Sequence, residues 1–317
     1  MKEKRPINYG EIVKKNNLLI LLFIFIVIAS ILSPNFLTIN NFLNLLQQAS
    51  IPGIVGIGMT LVIIIGGIDL SVGSVAAFAG MICAILLEKG YNFVLAILIT
   101  LVLGALIGTF TGVLIAKFKL PDFVASLAML EMARGAALLT TAGVPIFGLK
   151  GPFRMIGGGF IGNVPISGII WIALTLVVAF VLKYTSFGRS LYAIGGNREA
   201  AMLSGIKIKI NYTVTYALCS CLAAFAGIIT ASWLATGQPT AGNGMETNAI
   251  AAAVIGGLSL SGGRGTVIGT FGGVFLLQII TNIFNLVGLP SFYQQIAKGL
   301  IIIAALLVNK LVTEKER

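Results

Sequence analysis

The sequence contains no histidine, and charged residues fill only 10% of its 317 positions, against about 25% in an ordinary soluble domain. Without histidine there is no imidazole to relay protons or to ligate a metal. The three cysteines, Cys83, Cys219 and Cys221, stand in or beside apolar runs, so no disulfide framework is implied. No Gly-Lys dipeptide occurs, which excludes a Walker A loop for nucleotide phosphates. The chain also lacks the set of buried carboxylates and histidines expected of a proton-driven pump. It is therefore passive, or its energy comes from another subunit.

Hydrocarbon takes the place of charge. Hydrophobic residues make up 57% of the chain and the mean hydropathy is +1.03. Windows of about 20 apolar residues, enough to cross ~30 Å of hydrocarbon as a helix, recur at 18–32, 43–65, 70–87, 92–116, 121–142, 164–182, 211–236, 247–260, 266–287 and 293–309. They predict an all-α polytopic membrane protein of about ten transmembrane helices, with residues 1–317 forming a single transmembrane domain. The stretch KKNNLLILLFIFIVIASILSPN has the basic start and short apolar core of a secretory signal. Convincing small residues at a cleavage spacing are absent, so it is read as a retained first span.

The formal charge of +11 gives orientation, because lysine and arginine collect on the cytoplasmic side. With the N-terminus inside, cytoplasmic segments hold 16 of the 21 Lys and Arg: five before span 1, Lys117 and Lys119, five from Lys183 to Lys209, Arg264, and three at the C-terminus. Outer loops hold Lys89, Lys150 and Arg154, while Arg134 and Lys298 fall within spans. Both termini are thus predicted to be cytoplasmic, in a multi-pass membrane protein. The Gly/Pro-rich loop 143–163 faces outward and could form a gate or docking surface. The inner loop, about 184–210, is too long and polar for a simple turn. Within it NREAAMLSG predicts a short helix capped by Asn197, with Glu199 in the first turn and Gly205 at the end.

Glycine is frequent, 39 residues or about 12% where about 7% is usual. Gly104, Gly108 and Gly112, and again Gly265, Gly269 and Gly273, recur at every fourth position, a spacing that lets helix backbones approach closely in lipid. That closeness serves packing within one bundle or a dimer face. A weak internal echo joins IGGIDLSVG (65–73) and IGGLSLSGG (255–263), which share six of nine residues and set Asp69 opposite Ser259. If it is more than coincidence, two broken helix ends recur in the two halves, where transport pathways tend to lie.

An aspartate facing lipid costs roughly 2.5–3.5 kcal/mol, so Asp69 turns elsewhere. Gly66 and Gly67 can end one helix and Asp69 cap the next by accepting from the amides of Ser71 or Val72. Alternatively, this broken backbone lines a water-filled path, with Ser71, Ser74, Ser259 and Ser261 as further candidates. Glu131 and Arg134 lie three residues apart on one helical face and are expected to neutralise each other as a structural or gating pair. Lys298 is expected to snorkel toward the outer interface.

The blocks TLVIIIGGIDLSVGSVAAFAG (60–80), ARGAALLTTAGVPI (133–146), TSFGRSLYAIGGNREAAMLSGI (185–206) and NAIAAAVIGGLSLSGGRGTVIGT (248–270) closely resemble permease subunits of bacterial ATP-binding-cassette importers for monosaccharides, of the ribose, xylose and galactose type. The resemblance runs from about span 2 to SFYQQIAKGLIIIAALLVN near the C-terminus. It implies a pair of permease copies, an ATPase carrying two cassettes, and an extracytoplasmic sugar-binding protein. This chain would bind no cofactor, the ATP being used by the partner, and would not itself be an enzyme. By the same resemblance the ATPase docks on the inner loop through Gly188, Arg189, Gly195, Gly196, Asn197, Arg198, Glu199, Ala200, Ala201, Leu203 and Gly205. Family members often show Glu-Leu-Asp where this chain reads Glu246-Thr247-Asn248. No acidic role therefore passes to Asn248, which can still cap span 8 and remains a path candidate. The competing reading is a stand-alone secondary transporter or channel for a small polar solute.

Overall fold

In the computed structural model, which describes residues 17–314, ten helices of 11 to 27 residues occupy the ten predicted segments. They are α1 (Asn17–Leu32), α2 (Ile39–Ile64), α3 (Val72–Glu88), α4 (Phe93–Ala116), α5 (Asp122–Leu139), α7 (Ile166–Tyr184), α10 (Ile208–Leu234), α11 (Met245–Ile255), α12 (Val267–Val287) and α13 (Ser291–Glu314). Three short helices lie between them: α6 (Arg154–Gly158), α8 (Ser186–Gly196) and α9 (Arg198–Leu203). Five of the ten, α2, α4, α7, α10 and α12, are long and apolar enough to cross a membrane by length and composition alone. The basic residues before Asn17, together with Lys315 and Arg317, lie outside the described residues.

Helix α10 packs against α4, α3 and α2 and is the centre of the bundle. Both glycine stripes are consumed inside the chain. A Cβ on Gly104, Gly108 or Gly112 would strike α10, at Ala224, at the Tyr216 carbonyl and at Thr213 respectively. Gly269 and Gly273 meet the carbonyls of Gly256 and Ala252 in the same way, seating α12 on α11. Where lipid offers no hydrophobic drive between helices, such close approach supplies dispersion contact, and buried polar pairs add to it. The side chains of Asn41 and Asn282 exchange two amide hydrogen bonds (3.0 and 2.9 Å), and the hydroxyls of Thr60 and Thr270 lie 2.6 Å apart.

The outer loop is built rather than slack. Strand β1 (Ile146–Phe147) pairs antiparallel with β4 (Thr236–Gly237), and β2 (Phe160–Ile161) pairs with β3 (Val164–Pro165). Ser232 accepts from Gly157 N (2.8 Å) and donates to Phe153 O (2.6 Å), while Gln47 donates to Gly157 O (3.1 Å). The outer loop 143–163 thus packs on the outer ends of α2 and α10 and on the strand that follows α10. The inner loop does the same at the opposite end, against residues 64–66 and 262–265.

Candidate coupling surface and translocation elements

The inner loop holds two helices where one was expected. Thr185 caps α8 by accepting from Gly188 N (3.2 Å), and Asn197 caps α9 by accepting from Ala200 N (2.9 Å), as its side chain predicts. Gly188 is tight against the Leu182 carbonyl, which folds α8 back beneath α7. Leu191 and Ile194 of α8 are buried, and Tyr192 donates to Gly265 O (2.8 Å). Burial pushes the Tyr192 hydroxyl above its ordinary pKa, so it stays a donor. On α9, Arg198, Glu199 and Ala200 are exposed, while Leu203 is 85% and Met202 61% exposed. Ala201 departs from its expected place in a docking face. It is buried within the chain at 4% exposure, because the six-residue helix turns that side onto its own bundle. Arg189 is exposed, and its guanidinium lies 3.4 Å from Tyr184 O. Gly205 ends α9 in the left-handed conformation (φ +81°).

The repeated motif has a structural counterpart. At the end of α2, Gly66 takes φ +82°, and Gly66 N and Gly67 N donate to Ile63 O and Val62 O (both 2.9 Å), a Schellman end. At the end of α11, Gly257 N and Leu258 N donate to Val254 O (2.9 Å) and Ala253 O (3.0 Å), the same motif shifted by one residue. Next, Asp69 Oδ1 accepts from Ser71 N (2.9 Å) and Ser71 Oγ (2.6 Å), and Ser259 Oγ accepts from Ser261 N (3.3 Å). The two turns touch: Gly263 N donates to Ile64 O (2.9 Å), and a Cβ on Gly262 would lie 2.8 Å from Gly66 N. Gly195 enters the same junction, since its Cβ would collide with Ile64 O and Gly263 N. Three Gly-Gly pairs, from α2, α8 and the α11–α12 loop, thus meet as bare backbone.

Hydroxyls pin this junction. Tyr212 donates to Ile65 O (3.1 Å), and the Tyr216 hydroxyl lies 3.2 Å from both Ile68 O and Asp122 Oδ2. The guanidinium of Arg198 sits 5.0 Å from the Tyr212 ring centroid, so α9 reaches the end of α2 through one aromatic ring. Sequence reading missed Tyr212, Tyr216 and Asp122. The available signal was two tyrosines four residues apart on an otherwise apolar helix. Asp69, Ser71 and Ser74 are buried, and none of the three lines either of the two cavities described below.

Arg134 does not pair with Glu131. Its Nη1 donates to Pro239 O (2.8 Å) and Ala241 O (2.9 Å), whereas Glu131 is exposed on α5 and has no ion pair or hydrogen bond among the described residues. The reason lies in segment 235–244. Gly237 packs on Ala84 near one end of α3 and Gly242 on Gly73 near the other. Eleven helical residues separate those levels, so the segment descends about 16 Å into the bundle without helical hydrogen bonds. Carbonyls at that depth need donors, and two carbonyls outweigh one carboxylate for Arg134. Helix α11 then begins deep, and its 11 residues are too short to span the hydrocarbon.

Asn248, in the first turn of α11, lines a cavity of about 40 Å³ between α2, α11, α12 and α13. Lys298 lines it too, half-buried, instead of reaching for the outer interface. A larger groove of about 920 Å³ between α1, α2 and α12 is lined almost wholly by apolar side chains, among them Leu22, Phe36, Phe42 and Phe275, and suits hydrocarbon.

Residues 41–306 match the model of a family described as "Branched-chain amino acid transport system / permease component". The chain belongs to that family. Similar proteins include the ribose import permease protein RbsC of Bacillus subtilis, 42% identical and covering 97% of this chain and 96% of that one. RbsC of Escherichia coli K12 is 43% identical with 92% of each covered, and the L-arabinose ABC transporter permease protein AraH of Azospirillum brasilense is 33% identical over 95% and 88%. No solved structure matches the chain. As a permease component it is a polytopic membrane protein and not an enzyme; ATP hydrolysis belongs to a separate subunit.

Proposed function

We propose that this chain is the membrane-spanning subunit of an ATP-driven importer that passes a ribose-like monosaccharide from an extracytoplasmic binding protein into the cytoplasm. The relatives named above are permeases for ribose and arabinose, and a further one, 32% identical, is a D-allose transport system permease of Escherichia coli K12. The carrying observation is α9. It offers Met202 and Leu203 outward at the cytoplasmic face while Arg198, at its start, is stacked on the ring that holds the end of α2. A short helix with exposed apolar residues fits a groove on a partner, and a push there is delivered to the α2–α3 turn. The partner is an ATPase with two cassettes. A second copy of this chain completes the path, since Glu131, exposed in mid-α5, is accommodated by water or a partner far more cheaply than by lipid. The exposed Phe147, Met155 and Ile161 of the outer loop provide a face for the binding protein.

The test is co-purification of the ATPase with labelled-ribose uptake by reconstituted vesicles. Leu203→Asp is expected to leave the permease folded while abolishing both. Ala201→Asp is expected to lower folded yield as well, because it buries a charge. Normal uptake by a Leu203→Asp protein that holds no ATPase would favour the stand-alone transporter.

A further inference from the structure

The 40 Å³ cavity gathers side chains from four helices that are far apart in sequence. Its polar wall is made by Asn248, Gln278, Thr281 and Lys298, beside Pro52. Pro52 has no N–H for the carbonyl four residues earlier, which leaves the Gln48 carbonyl as an extra acceptor at that level of α2. Gln278 Nε2 donates to Gln48 Oε1 (2.9 Å), and the Gln278 side-chain carbonyl, which takes no hydrogen bond among the described residues, can accept. Thr281 gives its proton to Leu277 O (3.0 Å) and keeps oxygen lone pairs. Asn248 supplies both kinds of group, and Lys298 supplies donors and the one charge. Lys298 is seven residues into α13 and Pro52 thirteen into α2, about 10 and 20 Å from the outer ends of those helices. The cluster therefore lies within the ~30 Å of hydrocarbon.

We propose that this cavity is a contact site inside the permease for the hydroxyl groups of a neutral polyhydroxy solute of the monosaccharide class. Donors and acceptors interleaved on one wall match hydroxyls, which are both at once. Among the described residues no carboxylate lines the cavity. A metal cation finds no counter-charge there, and a zwitterionic amino acid would bring an ammonium with no acid to receive it. The present volume admits water only, so a sugar engages the site when α11 or α13 moves aside. The substrate class rests on the importer reading; the geometry does not.

Two measurements separate the site from that reading. In a chain whose three cysteines are replaced by alanine, Thr281→Cys is reacted with a small methanethiosulfonate reagent in nanodiscs holding the permease alone, with Gly151→Cys as control. D-ribose at about twice its Kd is expected to slow labelling of Thr281→Cys about threefold, by mass action. It should leave Gly151→Cys unchanged and lose its effect when Gln278→Leu is added, and L-leucine should do nothing. A Thr281→Cys that never reacts, or is slowed equally by ribose and leucine or by neither, overturns the site. In the complete importer, Lys298→Met is expected to lower ribose uptake about tenfold with the ATPase still bound. Unchanged uptake overturns the site and leaves the importer standing. A wild-type complex that takes up no ribose overturns the importer, and cysteine protection still decides the cavity.

Discussion

Arg134 shows how little spacing says about pairing at the scale of one side chain. Three residues from Glu131 on α5, it makes no ion pair with that carboxylate and donates instead to Pro239 O and Ala241 O, because an unpaired carbonyl inside the bundle is the larger penalty. Arg134→Met is therefore expected to lower stability by about 1–3 kcal/mol, read as a drop in the thermal midpoint of the detergent-purified protein. Glu131→Gln should stay within about 0.5 kcal/mol. The double variant should be additive, since the two groups share no partner; a coupling above about 1 kcal/mol would restore the ion pair and remove the account of segment 235–244. Asp69 follows the same logic in reverse: Ser71 supplies both donors to Oδ1, so a carboxylate that looks misplaced in an apolar run belongs to a turn.

At the scale of elements, the inner loop works through its backbone. Gly195 and Gly196 look interchangeable in the sequence, yet a Cβ on Gly195 would collide with the Ile64 carbonyl and the Gly263 amide, while one on Gly196 meets nothing within 4 Å. Gly195→Ala is thus expected to force α8 away from the ends of α2 and α11 and to abolish ribose uptake. Gly196→Ala should transport normally and help α8 slightly, alanine being the better helix former. Equal behaviour of the two variants, in uptake and in thermal midpoint, would show that the three glycine pairs do not meet as described.

The whole molecule sorts its connections by side. Segments predicted to be cytoplasmic meet around Gly66, Gly195 and Gly263, and those predicted to be outside meet around Gly157 and Gly237. In a cysteine-free background, an impermeant thiol reagent added to intact cells is expected to label Gly151→Cys and to spare Ser190→Cys. Labelling of both would reverse the orientation that the lysines and arginines set.

The ten apolar helical segments, the family blocks and the Asn197 cap were legible in the sequence, since each depends on interactions within about a turn of helix or on bulk hydropathy, whereas the shortness of α11 was not. The echo between 65–73 and 255–263 was legible as a pattern, and both copies do fold as a Schellman end followed by a side-chain turn. That the two turns touch, with Gly195 between them, was not. Neither was the choice of Arg134 between a neighbouring acid and two distant carbonyls, the burial of Ala201, nor the turning of Lys298 into a cavity shared by four helices. The touching turns, the Arg134 bonds and the Lys298 cavity depend on which backbone arrives opposite a residue from 50 to 250 positions away in the chain, and only packing in three dimensions selects that neighbour.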